Sequence, residues 1–196
     1  MGTAALLLLA ALIAGCDSAP RAPAFLLTDI TGAEFARGFQ LTDHTGKPRT
    51  LADFKGKVVA VFFGYTNCPD ACPTTMGELA LVMKELGQDA GRVQVLFVTV
   101  DPDHDTPAVL SRYVPAFFPG FLGLYGNADA TARTAKEFKV MYQKQPQSGG
   151  GGYTVDNSAG TFIFDPAGRV RLFAQYGKSA QALLHDIRLL LNPQTG

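Results

Sequence analysis

The stretch "KVVAVFFGYTNCPDACPTTMGELALVMKEL", residues 57–86, combines three features that decide the fold. It begins with a continuous apolar run, residues 57–65, which is typical of a parallel strand buried on both faces. Cys68 and Cys72 follow this run directly. Residues 73–86 then place apolar side chains at helical spacing, and the proline at position 73 suits a first helical turn. The stretch therefore predicts a buried strand, a cysteine loop and a helix.

The rest of the chain alternates between short strands and segments of helix length. In chain order, we predict a hairpin over residues 39–51, a second buried strand over 93–100, a helix opened by Asp105-Thr106-Pro107, a short apolar stretch at 121–126, a helix over 128–142, a glycine-rich loop at 147–152, strands at 160–165 and 170–176, and a helix over 179–191. This order predicts an α/β, thioredoxin-like fold, with a central mixed sheet, helices on both faces and an N-terminal hairpin.

Composition narrows the class of protein. A chain of 196 residues with 47% hydrophobic content can bury one good core. Its 17 basic and 17 acidic residues cancel, and no basic block interleaved with aromatic residues is present. The chain therefore lacks the electrostatic signature of a nucleic-acid-binding protein. We expect one globular domain over residues 38–196, preceded by a tether over 16–37.

The N-terminus has the pattern of an export signal. Residues 4–14 form an apolar run that is too short to span a bilayer but fits the central region of a signal peptide. The run ends at "IAGC", which resembles a bacterial lipobox, so residues 1–15 are expected to be removed and Cys16 to be lipidated. A plain secretory signal is the alternative. Both interpretations predict an exported protein, and lipidation predicts a cell-membrane lipoprotein with its domain on the outer, periplasmic side.

Cys68 and Cys72 allow a structural disulfide, a redox pair or a metal site. A disulfide between them would close a ring of five residues, worth roughly 2 kcal/mol, which a domain of this size does not need. At a strand end and helix start, backbone N–H groups and the helix dipole favour a thiolate. The segment "TVDNSAGTFIFD", residues 154–165, has no proline before its strand, which weakens the interpretation as a thioredoxin-like disulfide exchanger. Two thiolates are soft ligands that suit Cu(I).

Three segments closely resemble the signatures of the Sco/SenC family, thioredoxin-like copper chaperones that help assemble the dinuclear copper centre of cytochrome c oxidase. They are "FFGYTNCPDACPTTMGEL", "VTVDPDHDTP" and "YTVDNSAGTFIFDPAGRV", and the resemblance covers about residues 38–192. It implies a membrane-tethered domain that binds copper through Cys68, Cys72 and a histidine. The implied partners are the copper-bearing oxidase subunit and other copper chaperones.

The resemblance also implies roles at three further positions. Asp101 and Asp105 match the acidic motif of the family, although capping of the following helix would equally explain them. The histidine of the family stands in a "VDHS"-like segment, where this chain has Asn157. An amide is a poor substitute for imidazole, so we expect Cu(I) to be bound more readily than Cu(II).

Three histidines could supply the missing imidazole. His44 in the predicted hairpin turn and His185 in the last helix are expected to be solvated surface residues. His104 follows a strand predicted to run parallel to the strand before the cysteines, so it should emerge at the same edge of the sheet. It is a possible surrogate ligand, with a surface loop position as the alternative.

Two classes of function follow. The first is a copper chaperone, and the second is a thiol-disulfide reductant that keeps cysteines of the oxidase subunit or of another chaperone reduced through Cys68 and Cys72. Loss of the histidine at position 157 favours the reductant, whereas the missing proline favours the chaperone. A peroxiredoxin-like interpretation of "CPTT", residues 72–75, is disfavoured because Pro69 stands where that chemistry needs a threonine.

Overall fold

The computed structural model describes residues 24–146, 152–158 and 160–192. Its strands are β1 (Thr28–Asp29), β2 (Gln40–Asp43), β3 (Pro48–Thr50), β4 (Val58–Gly64), β5 (Val93–Thr99), β6 (Leu122–Tyr125), β7 (Tyr142–Pro146), β8 (Tyr153–Asn157), β9 (Gly160–Phe164) and β10 (Val170–Gln175). Its α-helices are α1 (Ala71–Leu86), α2 (Pro107–Tyr113), α3 (Ala128–Glu137) and α4 (Ala180–Leu191). Single 3₁₀ segments cover Leu51–Phe54 and Gly87–Arg92.

Eight of these strands form one mixed sheet in the order β1-β10-β9-β4-β5-β6-β2-β3. At its centre β4 pairs in parallel with β5, from Val58 opposite Val93 to Gly64 opposite Thr99, and antiparallel with β9. All seven residues of β4 are buried, as its continuous apolar run predicts. The carboxyl ends of β4 and β5 therefore meet at one edge of the sheet. The segment that carries Cys68 starts there after β4, and the segment that carries Asp101 starts there after β5.

The helix after β4 begins earlier than its spacing predicts. It starts at Ala71 and not at position 73, which places Cys72 within its first turn. It ends before Gly87, whose φ of 55° lies in the left-handed region that glycine adopts without strain. Helices α1 and α4 pack against each other, while α2 packs on β6.

The predicted helix over 128–142 is too long. Helix α3 ends at Glu137, because Lys139 has a φ of 54° and turns the chain out of the helical path. This turn buries the side chains of Phe138 and Val140. Residues Tyr142–Pro146 then form β7, which pairs with β8 in a separate two-stranded sheet.

The described fold also begins before the predicted boundary at residue 38. Residues Thr28–Asp29, inside the predicted tether, form β1 at the edge of the sheet beside β10. The carboxylate of Asp186 on α4 accepts hydrogen bonds from the backbone N–H groups of Leu26 and Leu27 at 2.8 to 3.0 Å. The predicted signal sequence, Cys16 and most of the predicted glycine-rich loop lie outside the described residues. No helix in the described ranges has the length and apolar character needed to cross a membrane.

Candidate metal centre

Cys68 and Cys72 lie together at the junction of β4 and α1, and both are free thiols. The backbone N–H of Cys72 donates a hydrogen bond to the Cys68 sulfur at 3.3 Å, because the loop folds back over the first turn of α1. Cys68 is half-buried, whereas Cys72 is buried completely. The pair therefore combines one accessible sulfur with one sulfur held inside the protein.

Cys72 occupies a space that Gly64 leaves open. A Cβ atom added at Gly64 would lie 2.9 Å from the Cys72 sulfur and 3.0 Å from ring carbons of Phe62 and Phe97. Burial raises the pKa of the Cys72 thiol well above its ordinary value, a hydrogen bond to Cys68 raises it further, and a backbone hydrogen bond from Tyr65 acts in the opposite direction. Burial of Cys72 therefore opposes the thiolate that is expected at the start of a helix.

Asp105, in the acidic segment after β5, braces the cysteine loop. Asp105 is buried, and its carboxylate accepts hydrogen bonds from the Thr66 backbone N–H at 3.0 Å, the Thr66 hydroxyl at 2.5 Å and the Thr99 hydroxyl at 2.6 Å. Helix α2 is capped by Thr106, whose Oγ1 accepts from the Val109 N–H. The capping role considered for Asp101 and Asp105 is therefore wrong. The Asp105 carboxylate accepts from Thr66 and Thr99, and the Asp101 carboxylate accepts from Tyr153.

His104 lies beside the cysteine loop, as the parallel strands predict, but both of its ring nitrogens have protein partners. Nδ1 lies 3.0 Å from Asp105 Oδ1, and Nε2 lies 3.0 Å from the side-chain nitrogen of Asn67. An Nδ1–H tautomer satisfies both contacts, donating to the carboxylate and accepting from the amide. In this arrangement His104 holds the residue before Cys68. Within the described ranges, no three His, Cys, Asp or Glu side chains come together closely enough to hold a metal ion.

Asn157 is the last residue of β8 and reaches the strand that leads into the cysteine loop. Its side-chain nitrogen donates a hydrogen bond to the backbone oxygen of Phe63 at 3.1 Å. The structure therefore places position 157 next to the carboxyl end of β4, with its amide already engaged. The donors offered to a soft metal here are the sulfurs of Cys68 and Cys72, which suit Cu(I) in type and charge.

The two remaining histidines lie away from this cluster. His44 is half-buried, and its Nδ1 accepts a hydrogen bond from the Gly123 N–H at 3.0 Å, so the expectation of a solvated side chain is wrong for His44. Its ring links the first hairpin to β6. His185 is 46% exposed and lies 2.7 Å from the Asp186 carboxylate, in agreement with the surface position expected for it.

Three residues around the site were not found from the sequence. Tyr153 and Lys144 on the β7–β8 hairpin both contact the Asp101 carboxylate. The hydroxyl of Tyr176 donates to the Asp70 carboxylate, between the two cysteines, at 3.0 Å. The acidic partners of these three side chains lie at least 41 positions away in the chain, and no local sequence pattern indicates such long-range contacts.

Comparison with known proteins identifies relatives across most of the chain. The SCO1/SenC family model matches residues 28–192. "Protein SCO2 homolog, mitochondrial" from Bos taurus is 38% identical over 152 residues, which cover 76% of this chain and 57% of that protein. "Protein SCO1, mitochondrial" from Saccharomyces cerevisiae is 37% identical over 133 residues, covering 67% of this chain and 45% of that protein. The chain thus spans about half the length of these curated relatives.

Solved structures confirm the thioredoxin-like fold. Apo Sco1 from Thermus thermophilus is 39% identical, has a TM-score of 0.76, and the match covers 86% of this chain and 98% of that one. Copper-bound ScoI from Bradyrhizobium japonicum is 36% identical and has a TM-score of 0.72. The match covers 79% of this chain and 98% of that one. The sequence, the sheet order and these structures lead to one assignment: the chain belongs to the SCO1/SenC family.

Proposed function

We propose that this protein is a copper chaperone that delivers copper to the dinuclear copper centre of cytochrome c oxidase during assembly. The observation that carries the proposal is the pair of free thiols, Cys68 and Cys72, joined by a hydrogen bond from the Cys72 N–H to the Cys68 sulfur at 3.3 Å. Support comes from family membership and from a relative whose structure contains copper. The cargo is Cu(I), because two thiolates match its preference for soft ligands.

The unequal burial of the two sulfurs suits transfer by ligand exchange. The half-buried Cys68 is open to an incoming ligand from a partner, whereas Cys72 is enclosed by protein. A partner thiolate can therefore replace Cys68 first while Cys72 still holds the ion. Copper leaves Cys72 last, after the partner has supplied its own ligands.

The second candidate is a thiol-disulfide reductant, and Asn157 favours it. The amide at this position is bonded to the Phe63 carbonyl and offers no imidazole to a metal. In this reaction the Cys68 thiolate attacks a partner disulfide and forms a mixed disulfide, releasing one partner thiol. Cys72 then loses its proton and attacks Cys68, which releases the second partner thiol and leaves a Cys68–Cys72 disulfide.

One experiment separates the two functions. The copper-bearing domain of the oxidase subunit is prepared metal-free, once with reduced cysteines and once as its disulfide, and mixed with the reduced protein with and without Cu(I). A chaperone yields copper transfer to the reduced domain, followed by the absorption of its metal centre. A reductant yields free thiols on the disulfide form and a Cys68–Cys72 disulfide, followed by mass spectrometry after alkylation. Failure of copper transfer with efficient disulfide reduction would reject the chaperone.

We further propose that the mature protein begins at a lipidated Cys16 and is held at the outer face of the cell membrane. The pattern "LIAGCDSAP" in residues 12–20 supports this. Intact-mass analysis of the membrane fraction should give a chain that starts at Cys16 with added lipid. The Cys16→Ser variant should yield an uncleaved precursor or a soluble domain. An unmodified N-terminus at another residue would contradict lipidation.

A further inference from the structure

The β7–β8 hairpin stands apart from the eight-stranded sheet, yet it carries position 157. Its strands pair with each other from Tyr142 opposite Asn157 to Pro146 opposite Tyr153. An isolated two-stranded hairpin is marginally stable in water, so contacts with the rest of the domain must hold it in place. Those contacts decide how firmly position 157 is kept beside the cysteine loop.

Both strands of the hairpin send a donor to the same buried carboxylate. Asp101 is 1% exposed. The Tyr153 hydroxyl lies 2.9 and 3.0 Å from its two oxygens, and Lys144 Nζ lies 3.0 Å from Oδ1. Lys144 also contacts Asp103 at 2.8 Å, and its ammonium lies 4.5 Å from the centre of the Tyr153 ring. One carboxylate is thus bound by a donor from β7 and a donor from β8.

The loop that carries Asp101 also braces the cysteines. The backbone N–H of Asp105 donates to the Asp101 carbonyl at 2.9 Å, and the Asp105 carboxylate holds Thr66. His104 contacts Asn67, the residue before Cys68. The loop after β5 therefore connects the hairpin on one side with the cysteine loop on the other.

We propose that Tyr153 and Lys144 are positioning residues for the copper site: by binding Asp101 they hold the hairpin closed beside Cys68 and Cys72 and slow the release of bound copper. The role in copper retention rests on the proposed function. The closure of the hairpin is argued from the contacts with Asp101 and does not depend on that function.

The burial of Asp101 makes its partners important. A buried carboxylate is costly without partners, and Lys144 and Tyr153 reach it from the protein surface, where they stay 40% and 38% exposed. Hydrogen bonds to a charged group are stronger than those between neutral groups. Hydrogen bonds to Asp103 and Asp101 raise the pKa of Lys144, so the ammonium keeps its charge over the whole working range of pH. Loss of either donor leaves the Asp101 carboxylate short of a partner, which favours a hairpin that opens and admits water.

Two substitutions test the proposal with little change in shape. Tyr153→Phe removes one hydroxyl, and Lys144→Met removes the charge. Tyr125→Phe and Lys84→Met are the matched controls, since the described residues give neither side chain a hydrogen bond or ion pair. Lys144→Arg keeps the positive charge and should restore most of the closure.

The first readout does not require metal. In the reduced, metal-free protein, amide hydrogen exchange in β7 and β8 should accelerate about tenfold in Tyr153→Phe and in Lys144→Met, as expected for loss of one hydrogen bond to a charged group. Exchange in α4 should stay at the parent rate, which separates local opening from global loss of stability. Unchanged hairpin exchange in both variants would overturn the proposed closure.

The second readout is the rate at which Cu(I) passes from the loaded protein to an excess of a Cu(I) chelator. We expect about tenfold faster release from both variants, parent rates from both controls and near-parent rates from Lys144→Arg. Faster amide hydrogen exchange in the hairpin with an unchanged rate of Cu(I) release would overturn the role in copper retention. Absence of Cu(I) binding by the parent would instead reject the proposed function, and hydrogen exchange would still decide the closure.

Discussion

At the scale of single residues, Asn157 separates the chemistry of this site from that of a three-ligand copper centre. Its amide nitrogen has no free lone pair at neutral pH, and it is bonded to the Phe63 carbonyl. In the proposed copper site the two cysteines still offer Cu(I) a pair of soft donors. Cu(II) prefers nitrogen donors in a tetragonal set, so the missing imidazole affects the oxidised ion most.

The substitution Asn157→His should therefore create a strong Cu(II) site. Anaerobic titration with Cu(II) should show a sulfur-to-copper charge-transfer band that the parent lacks or shows weakly, and Cu(I) affinity should change much less. The expected reaction of the parent with Cu(II) is oxidation of Cys68 and Cys72 to a disulfide, in which two Cu(II) ions are reduced to Cu(I) and two protons are released. If His104 is a surrogate ligand, the parent shows a strong band and His104→Ala abolishes it. A strong band in both the parent and His104→Ala would refute both the role of Asn157 and the surrogate role of His104.

Burial of Cys72 predicts how copper binding depends on pH. Because burial raises the pKa of its thiol, Cys72 carries a proton at neutral pH and must release it when a metal binds. The apparent Cu(I) affinity should then rise about tenfold per pH unit for each proton released, between pH 6 and 8. Competition with a chelator of known pH dependence measures this, and Cu(I) affinity that stays constant across the range would contradict it.

At the scale of elements, the junction of β4 and α1 sets the space available to the sulfurs. The structure predicts that Gly64→Ala in β4 and Gly77→Ala in α1 change the free energy of unfolding in opposite directions. Gly64→Ala places a methyl group 2.9 Å from the Cys72 sulfur and 3.0 Å from the rings of Phe62 and Phe97, so these side chains or the backbone must move. We expect a loss of about 1 to 3 kcal/mol in the free energy of unfolding, as for other overpacked cores, together with weaker Cu(I) binding.

Gly77→Ala is the matched control in the same unit. Apart from its chain neighbours and the backbone of its own helix, a Cβ atom at this position in the middle of α1 meets no atom within 4 Å, and alanine favours a helix by about 1 kcal/mol over glycine. We expect a more stable protein with parent Cu(I) affinity. Urea unfolding of both variants checks the pair, and equal stability of Gly64→Ala and the parent would show that Cys72 has more room than the structure indicates.

Elements with one dominant signal could be predicted from the sequence. The apolar runs in β4 and β5 gave their parallel pairing at the centre of the sheet, and the order of elements gave the fold. The strand β7 could not be predicted, because "YQKQP" is polar and its side chains are exposed or half-buried, so no apolar alternation marks it. The end of α3 could not be predicted because Lys139 adopts a left-handed conformation, which lysine rarely does.

At the scale of the whole molecule, the cysteine pair was predictable but its surroundings were not. The parallel strands β4 and β5 explain why His104 was expected near Cys68, and the structure places it there. Its partners could not be foreseen, since its ring nitrogens are taken by Asn67 and Asp105. Likewise, Asp101 meets Tyr153 across 52 positions of sequence. Such contacts depend on where the folded hairpin comes to rest against the sheet.

The most direct test of the two-thiolate copper site is an anaerobic Cu(I) titration of the reduced protein, repeated on Cys68→Ala and Cys72→Ala. The parent should bind one Cu(I), and each single substitution should remove nearly all of the affinity, because one thiolate cannot replace a chelate of two. Circular dichroism of the metal-free variants serves as the control for folding. A parent that binds no Cu(I), or either variant binding it as tightly as the parent, would contradict the site.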